Sequence, residues 1–100
     1  MPVVVVATIR PLPEHLDTVR DAFLEILPAV HEEPGCELYA LHEADCVLVM
    51  VEKWASQEAL DTHMTAPALA ALGPKMAGKV AGAPEVQYLT PLPAGTKGAL

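Results

Sequence analysis

The chain has 100 residues, of which 52% are apolar; this is the length of one domain, and too apolar for a disordered chain. Six Lys and Arg against thirteen Asp and Glu give a net charge of −7, which excludes a general affinity for nucleic acid or for an anionic membrane. Two cysteines make no disulfide framework, and no apolar run approaches a membrane span. Because the N-terminus shows no secretory pattern, we expect a reduced, cytoplasmic setting.

The first third of the sequence predicts a strand followed by a helix. Residues 3–9 are mostly β-branched and apolar, which is typical of a strand covered on both faces. From Glu14 to Glu33, apolar residues recur every three or four positions, the spacing of an amphipathic helix. Pro28 lies inside this helix, where we expect a kink. Pro34-Gly35 ends the helix.

Residues 36–54 predict a β-hairpin. Two strands, Cys36–Glu43 and Cys46–Trp54, are joined at Ala44-Asp45. This turn pairs Glu37 with Glu52, Tyr39 with Met50 and Leu41 with Leu48, and places all six on one face with Trp54. A pair of opposed carboxylates is unfavourable, so a different register stays open. The two cysteines fall at opposite ends of the hairpin and are not expected to bond to each other.

The following segment predicts helical structure. Ser56 is a suitable N-cap for a short helix through Met64. Within that helix His63 shares a side with Ala59 and Leu60, which points the imidazole inward. An Ala-rich helix over residues 65–72 follows, and Gly73-Pro74 is expected to break it.

The order of elements predicts the fold class. Glu85–Thr90 alternates as a last strand, and Pro91–Leu100 forms a flexible tail without a core of its own. Strand, helix, strand, strand, helix, strand is the order of a ferredoxin-like α+β plait, here a domain over residues 1–90. Both helices then cover one face of a four-stranded antiparallel sheet. The other face carries Val and Leu side chains, which favours a homodimer closed face to face as a dimeric α/β barrel.

Three segments carry a family resemblance that covers residues 3–90. They are Val5–Arg10, Glu33–Tyr39 and Val51–Leu60, the last followed by His63 and Ala66-Pro67. The most specific feature is a Glu-x-Trp strand end with a His nine residues after the Trp. The sequence resembles the antibiotic biosynthesis monooxygenase family, small dimeric plaits that include quinol and anthrone oxygenases.

The resemblance implies a set of site residues. His63 would be a general base or hydrogen-bond donor, and Glu52 would orient it or take the proton itself. Trp54 would wall an aromatic substrate, and the other possible lining residues are Tyr39, Met50, Phe23 and Thr8. Each has a structural alternative: His63 as a core histidine bonded to Glu52 or to a backbone carbonyl, Glu52 as a satisfied buried carboxylate, and the others as ordinary core.

The resulting hypothesis is a cofactor-independent monooxygenase that oxidises a quinol or anthrone with O2. The protein would remove a phenolic proton and hold the anion in a dry cavity. No spacing of zinc ligands and no flavin or nicotinamide fingerprint occurs, so we predict neither a metal nor a cofactor. Two alternatives stay open: a non-catalytic dimeric protein that binds a small molecule, and an isomerase of a phosphorylated sugar. An oxygenase requires an apolar cavity of about 300 Å3 or more that reaches His63; an isomerase requires cations there.

Overall fold

The computed structural model describes residues 1–100 and has the predicted ferredoxin-like architecture. The four antiparallel strands are Val3–Ile9 (β1), Cys36–Ala44 (β2), Val47–Trp54 (β3) and Glu85–Leu89 (β4). The helices are Leu16–His31 (α1), Gln57–Met64 (α2) and Pro67–Met76 (α3), with a 3-10 turn at Pro13–His15 before α1. The strand order is β2-β3-β1-β4, so the first and third strands lie at the centre of the sheet. None of the helices combines the length and hydrophobicity that a bilayer span requires.

Alternation along β1 and β3 separates the two faces of the sheet. Val5 pairs with Glu52, and Ile9 pairs with Leu48; all four side chains are buried. They lie on the helix-covered face, where α1 adds Val19, Phe23, Ile26 and Val30 to the same core. On the other face, Val47, Val49 and Val51 are only partly buried. The sheet therefore has one covered and one open face, as predicted.

The hairpin register differs from the prediction by a shift of the turn. Asp45 and Cys46 form the turn with φ angles of +49° and +63°, the combination that a two-residue type I′ turn requires. Ala44 consequently pairs with Val47, and Tyr39 pairs with Glu52 rather than with Met50. Since the pairing moves by two positions, each side chain beyond the bulge at the start of β2 keeps its predicted face.

The shifted turn also removes the unfavourable carboxylate pair, and a β-bulge lies at the start of β2. Cys36 pairs with Trp54 and Leu38 pairs with Lys53, so Glu37 is the extra residue of the bulge. Glu37 does not face Glu52 as the simple register predicted; its carboxylate lies 3.8 Å from Lys53 Nζ. Both cysteines are free, in agreement with the expectation that they do not pair.

The second helical region is divided at a different place from the prediction. Ser56 caps α2 as expected, its Oγ accepting from Ala59 N at 3.1 Å. The break falls at Ala66, which is extended ahead of Pro67, as residues before proline prefer. Gly73-Pro74 does not end the helix; it lies inside α3. Pro74 is on the exposed side, where water can serve the carbonyl that loses its donor.

A close approach fixes the loop that leads into β2. Gly35 has φ +82°, and a Cβ on it would lie 2.5 Å from the Cβ of Ala59 in α2. Its carbonyl accepts from Ala55 N at 2.8 Å. This loop is therefore held against the start of α2 and admits only glycine at this position.

Gly35→Ala is expected to lower the free energy of unfolding by about 3 kcal/mol, combining left-handed backbone strain with overpacking. Gly78→Ala is the matched control, because Gly78 has φ +74° but no atom within 4 Å of its virtual Cβ; its cost should be about 1–2 kcal/mol. Urea unfolding of both variants measures the difference. Equal losses of unfolding free energy in the two variants would show that the contact with Ala59 does not add to the cost of Gly35→Ala.

Candidate active site

An apolar cavity of about 150 Å3 lies between the covered face of the sheet and the helices α2 and α3. Thirteen of its fifteen lining residues are hydrophobic, and Glu52 is the only charged one. Its lining includes Met64, Val86 and Tyr88, which are 53%, 41% and 61% exposed, so these residues form its rim toward solvent. The cavity is about half the expected size, and His63 does not line it.

Glu52 presents a carboxylate to this cavity. It is only 6% exposed, and its Oε1 accepts a hydrogen bond from Trp54 Nε1 at 2.9 Å. Every fully buried side-chain N or O atom in the structure has a hydrogen-bond partner. Oε2 of Glu52 makes no such bond, so it is the oxygen that remains accessible, and the cavity that Glu52 lines provides that access.

The surroundings of Glu52 make it a stronger base than an exposed carboxylate. Burial, the largest influence, raises its pKa because an apolar site disfavours the charged form. The hydrogen bond from Trp54 and the charge of His63 lower this pKa in part, and the negative charge of Glu33 raises it. A carboxyl with a raised pKa is suited to accept a proton from a weak acid such as a phenol.

His63 points inward, as predicted, but it bonds to a residue that the sequence analysis did not identify. The imidazole is 2% exposed, and its Nδ1 lies 2.7 Å from Glu33 Oε1. Since an ionised carboxylate can only accept, Nδ1 is the donor of this hydrogen bond. The ring stacks on Trp54 with centroids 4.5 Å apart and an interplanar angle of 29°.

The other sequence-predicted site residues divide into two groups. Phe23, Tyr39 and Met50 line the cavity. Trp54 is fully buried and is not part of the lining; it lies behind Glu52. Thr8 pairs with Val49 and is absent from the lining, whereas Ala7 and Ile9 on either side of it are present. Strand alternation therefore places Thr8 on the open face of the sheet, away from the cavity.

Tyr39 connects the cavity to the aromatic pair. Its ring is edge-on to His63 at 5.3 Å and to Trp54 at 6.3 Å. Burial, and then the nearby charges of Glu52 and Glu33, raise the pKa of the phenol well above its ordinary value of 10. The raised pKa keeps the hydroxyl protonated, and since it makes no hydrogen bond within the protein it is available as a donor to a bound ligand.

Tyr39→Phe should make the fold more resistant to alkali. Because the pKa of Tyr39 is raised in the folded state, its contribution to stability is fully present below about pH 10 and is lost as the pH rises toward the folded value. Phe has no such proton to lose. Urea unfolding should give similar stabilities for both proteins at pH 8 and a shallower decline above pH 10 for the variant. Parallel curves would contradict this explanation.

Glu33 is the residue of this cluster that the sequence reasoning missed. It precedes Pro34 and Gly35, where the sequence indicates the end of the first helix and the start of a segment with the family resemblance, but no site residue. Thirty positions separate Glu33 from His63, so neither helical nor strand periodicity could pair them. The one available signal was an acidic residue placed directly before a turn that requires glycine.

Residues 2–73 match the family model for antibiotic biosynthesis monooxygenase. This chain belongs to that family. Curated relatives include the probable quinol monooxygenase YgiN of Escherichia coli K12, 33% identical over 90 residues that cover 76% of this chain and 86% of YgiN. The resemblance seen in the Glu-x-Trp segment is thereby confirmed, and the family and this relative indicate a monooxygenase kind of function.

Solved structures agree with the family assignment. A candidate antibiotic biosynthesis monooxygenase from Caulobacter crescentus has a TM-score of 0.82 and 33% identity, covering 88% of this chain and 87% of its own. Rv0793 from Mycobacterium tuberculosis has a TM-score of 0.88 and 26% identity, covering 96% of this chain and 100% of its own. Both structures thus share the fold over nearly the whole length of this chain.

Proposed function

We propose that this protein is a monooxygenase that oxidises a quinol-type aromatic with O2 in the cavity beside Glu52. The observation that carries the proposal is a single carboxylate of raised pKa in an otherwise apolar cavity. An apolar cavity of about 150 Å3 is large enough for a benzene-sized ring. The volume therefore favours a one-ring quinol over a three-ring anthrone.

In the proposed reaction, Glu52 Oε2 accepts a phenolic proton and Tyr39 donates a hydrogen bond to the substrate. Loss of the proton makes the ring electron-rich, and the apolar lining keeps water away from the anion. A quinol and O2 give a hydroxyquinone and water, so one oxygen atom becomes a hydroxyl group on a ring carbon and the other leaves as water. The four electrons come from the substrate, two from hydroxylation of the ring and two from its oxidation to the quinone level. The reaction as written balances without a cofactor.

The geometry favours Glu52 rather than His63 as the base. Glu52 lines the cavity, whereas His63 lies beyond Trp54 and bonds to Glu33. Trp54 Nε1 occupies one carboxylate oxygen and leaves the other for the substrate. In this proposal Trp54 is not a wall of the cavity but the group that orients the base.

A second copy of the chain completes the proposal. Val6, Val49 and Val51 are partly exposed on the open face of the sheet, and a face of this kind is too apolar to remain in water. We propose that two such faces pack together as a homodimer. The free Cys36 and Cys46 are compatible with a reducing cytoplasm, which we propose as the location.

One observation favours a second candidate function, a non-catalytic small-molecule-binding protein. The cavity is small and His63 does not line it, which is what tight packing of a structural histidine would produce. The isomerase alternative has less support, because no Lys or Arg lines the cavity and a phosphorylated sugar would find no cation there.

The experiment is O2 uptake by the purified protein with one-ring, two-ring and anthrone substrates. Ala7→Leu fills the cavity without altering Glu52, and Ala29→Leu at an exposed position of α1 is the matched control. Protein-dependent uptake should be fastest with one ring, be lost in Ala7→Leu and persist in Ala29→Leu. Uptake no faster than the blank, with quinol binding still measurable by calorimetry, would favour the binding protein and overturn the proposal.

A further inference from the structure

Two buried or half-buried glutamates lie at opposite ends of one continuous array of contacts. Glu33 Oε1 is 2.7 Å from His63 Nδ1, the His63 ring stacks on Trp54 at 4.5 Å, and Trp54 Nε1 is 2.9 Å from Glu52 Oε1. Glu33 itself is outside the cavity lining. Its side chain is 14% exposed, so it is not an ordinary surface carboxylate.

Each contact in the array restricts the next one. The bond from Nδ1 to Glu33 fixes both the tautomer and the plane of the His63 ring. The His63 ring stacks on the indole of Trp54. Rotation of the indole would separate the two rings, so the stacking holds the indole in place. The indole N–H in turn donates the only hydrogen bond that the Glu52 carboxylate accepts within the protein.

The backbone keeps the far end of the array in place. Glu33 lies in the short loop between α1 and β2, and two residues later the Gly35 carbonyl accepts from Ala55 N at 2.8 Å. The Gly35 backbone also approaches Ala59 of α2, the helix that carries His63. The Glu33 carboxylate and the imidazole are thus held together by two rigidly connected segments.

We infer that Glu33 is a positioning residue that orients the Glu52 carboxylate through His63 and Trp54. Its effect on catalysis rests on the proposed function, in which Glu52 is the base. The dependence of the Trp54 orientation on the Glu33 carboxylate, which Trp54 does not touch, does not require that function. Glu33 contacts no substrate and is not itself a catalytic residue.

The test uses Trp54, the only tryptophan of the chain, because its indole N–H gives a single NMR signal. In Glu33→Ala we expect this signal to shift and to exchange faster with solvent, and the His63 ring to lose its fixed Nδ1–H tautomer. Glu33→Gln keeps an oxygen that can accept from Nδ1 and should restore both signals. Glu32→Ala is the matched control, since the neighbouring exposed glutamate bonds to nothing in this array, and it should leave both unchanged.

Kinetics with a quinol test the functional part. Glu33→Ala should lower kcat by about tenfold to a hundredfold, the usual effect of losing a residue that orients a site group, with a much smaller change in KM because substrate contacts are intact. Glu33→Gln should recover most of kcat. A loss confined to KM, or no recovery in Glu33→Gln, would overturn the positioning role.

A double variant tests whether the effect passes through His63. His63→Phe keeps a ring on Trp54 but cannot bond to Glu33, so adding Glu33→Ala to it should produce no further change in the indole signal. A further change, or an unaltered indole signal in Glu33→Ala alone, would overturn the inference. If Glu33→Ala does not fold, His63→Phe breaks the same bond from the other side: it should shift the indole signal while Glu33→Gln leaves it unchanged, and an unshifted signal in His63→Phe would overturn the inference. Absence of quinol oxidation in the wild type would refute the proposed function, while the NMR signals still decide this inference.

Discussion

Glu52→Gln is expected to lower kcat for quinol oxidation by about a hundredfold to ten-thousandfold, the usual contribution of a general base. The amide keeps an oxygen that can accept from Trp54 Nε1, so the local geometry is preserved while the basic atom is lost. Steady-state O2 uptake at saturating quinol measures the effect. Glu58→Gln on the exposed side of α2 is the control and should retain full activity.

The same substitution should not destabilise the protein at neutral pH. The pKa of Glu52 is raised in the folded state, so its contribution to stability is fully present below about pH 4, the unfolded value, and is lost as the pH rises through the folded value. Gln undergoes no such loss. The free energy of unfolding of Glu52→Gln should therefore match the wild type near pH 4 and equal or exceed it at pH 8. A variant that stays fully active, or that is much less stable at pH 8, would contradict the role given to Glu52.

Trp54→Ala is expected to have the largest effect on stability, a loss of about 3–5 kcal/mol. The indole is 0% exposed, contacts the rings of Tyr39 and His63, and donates to Glu52. Its removal leaves a void and a buried carboxylate oxygen without its donor, which places the loss toward the upper end of that range. Since a domain of this size has about 5–15 kcal/mol in total, the variant should be marginally folded.

Trp54→Phe separates the packing of the ring from its hydrogen bond. It retains an aromatic ring against His63 but removes the donor to Glu52, so we expect a loss of about 1–3 kcal/mol. Urea unfolding followed by circular dichroism is the appropriate measurement, because both variants lack the only tryptophan fluorophore. A cost for Trp54→Ala no larger than that for Trp54→Phe would show that the indole is not an anchor of the core.

The sequence was sufficient to predict the fold because its local patterns agree with one another. The β-branched residues 3–9, the helical spacing in α1 and the Ser56 cap each specify one element. Two of the differences from the prediction have local causes. The hairpin turn lies at Asp45-Cys46 because these residues adopt positive φ, and the Gly73-Pro74 pair remains helical because it lies on the solvent side of α3.

The candidate site was predictable only where strand alternation or the family resemblance reached it. Alternation places Glu52 and Trp54 on one face, and the helix pattern turns His63 inward. Which partner each group bonds to depends on contacts distant in sequence. For that reason the sequence does not reveal the role of Glu33. The expectation for Thr8 was wrong for a local reason: Ala7 and Ile9 line the cavity, so alternation along β1 turns the Thr8 side chain to the opposite face.

The most direct test of the proposed monooxygenase function is the fate of labelled oxygen. A one-ring quinol is incubated with the protein under 18O2, and the product is examined by mass spectrometry. The proposal predicts a hydroxyquinone with one labelled oxygen attached to a ring carbon, the second atom recovered as labelled water, and loss of both products in Glu52→Gln. An unlabelled quinone formed together with labelled hydrogen peroxide would contradict it, because the protein would then transfer electrons to O2 without inserting oxygen.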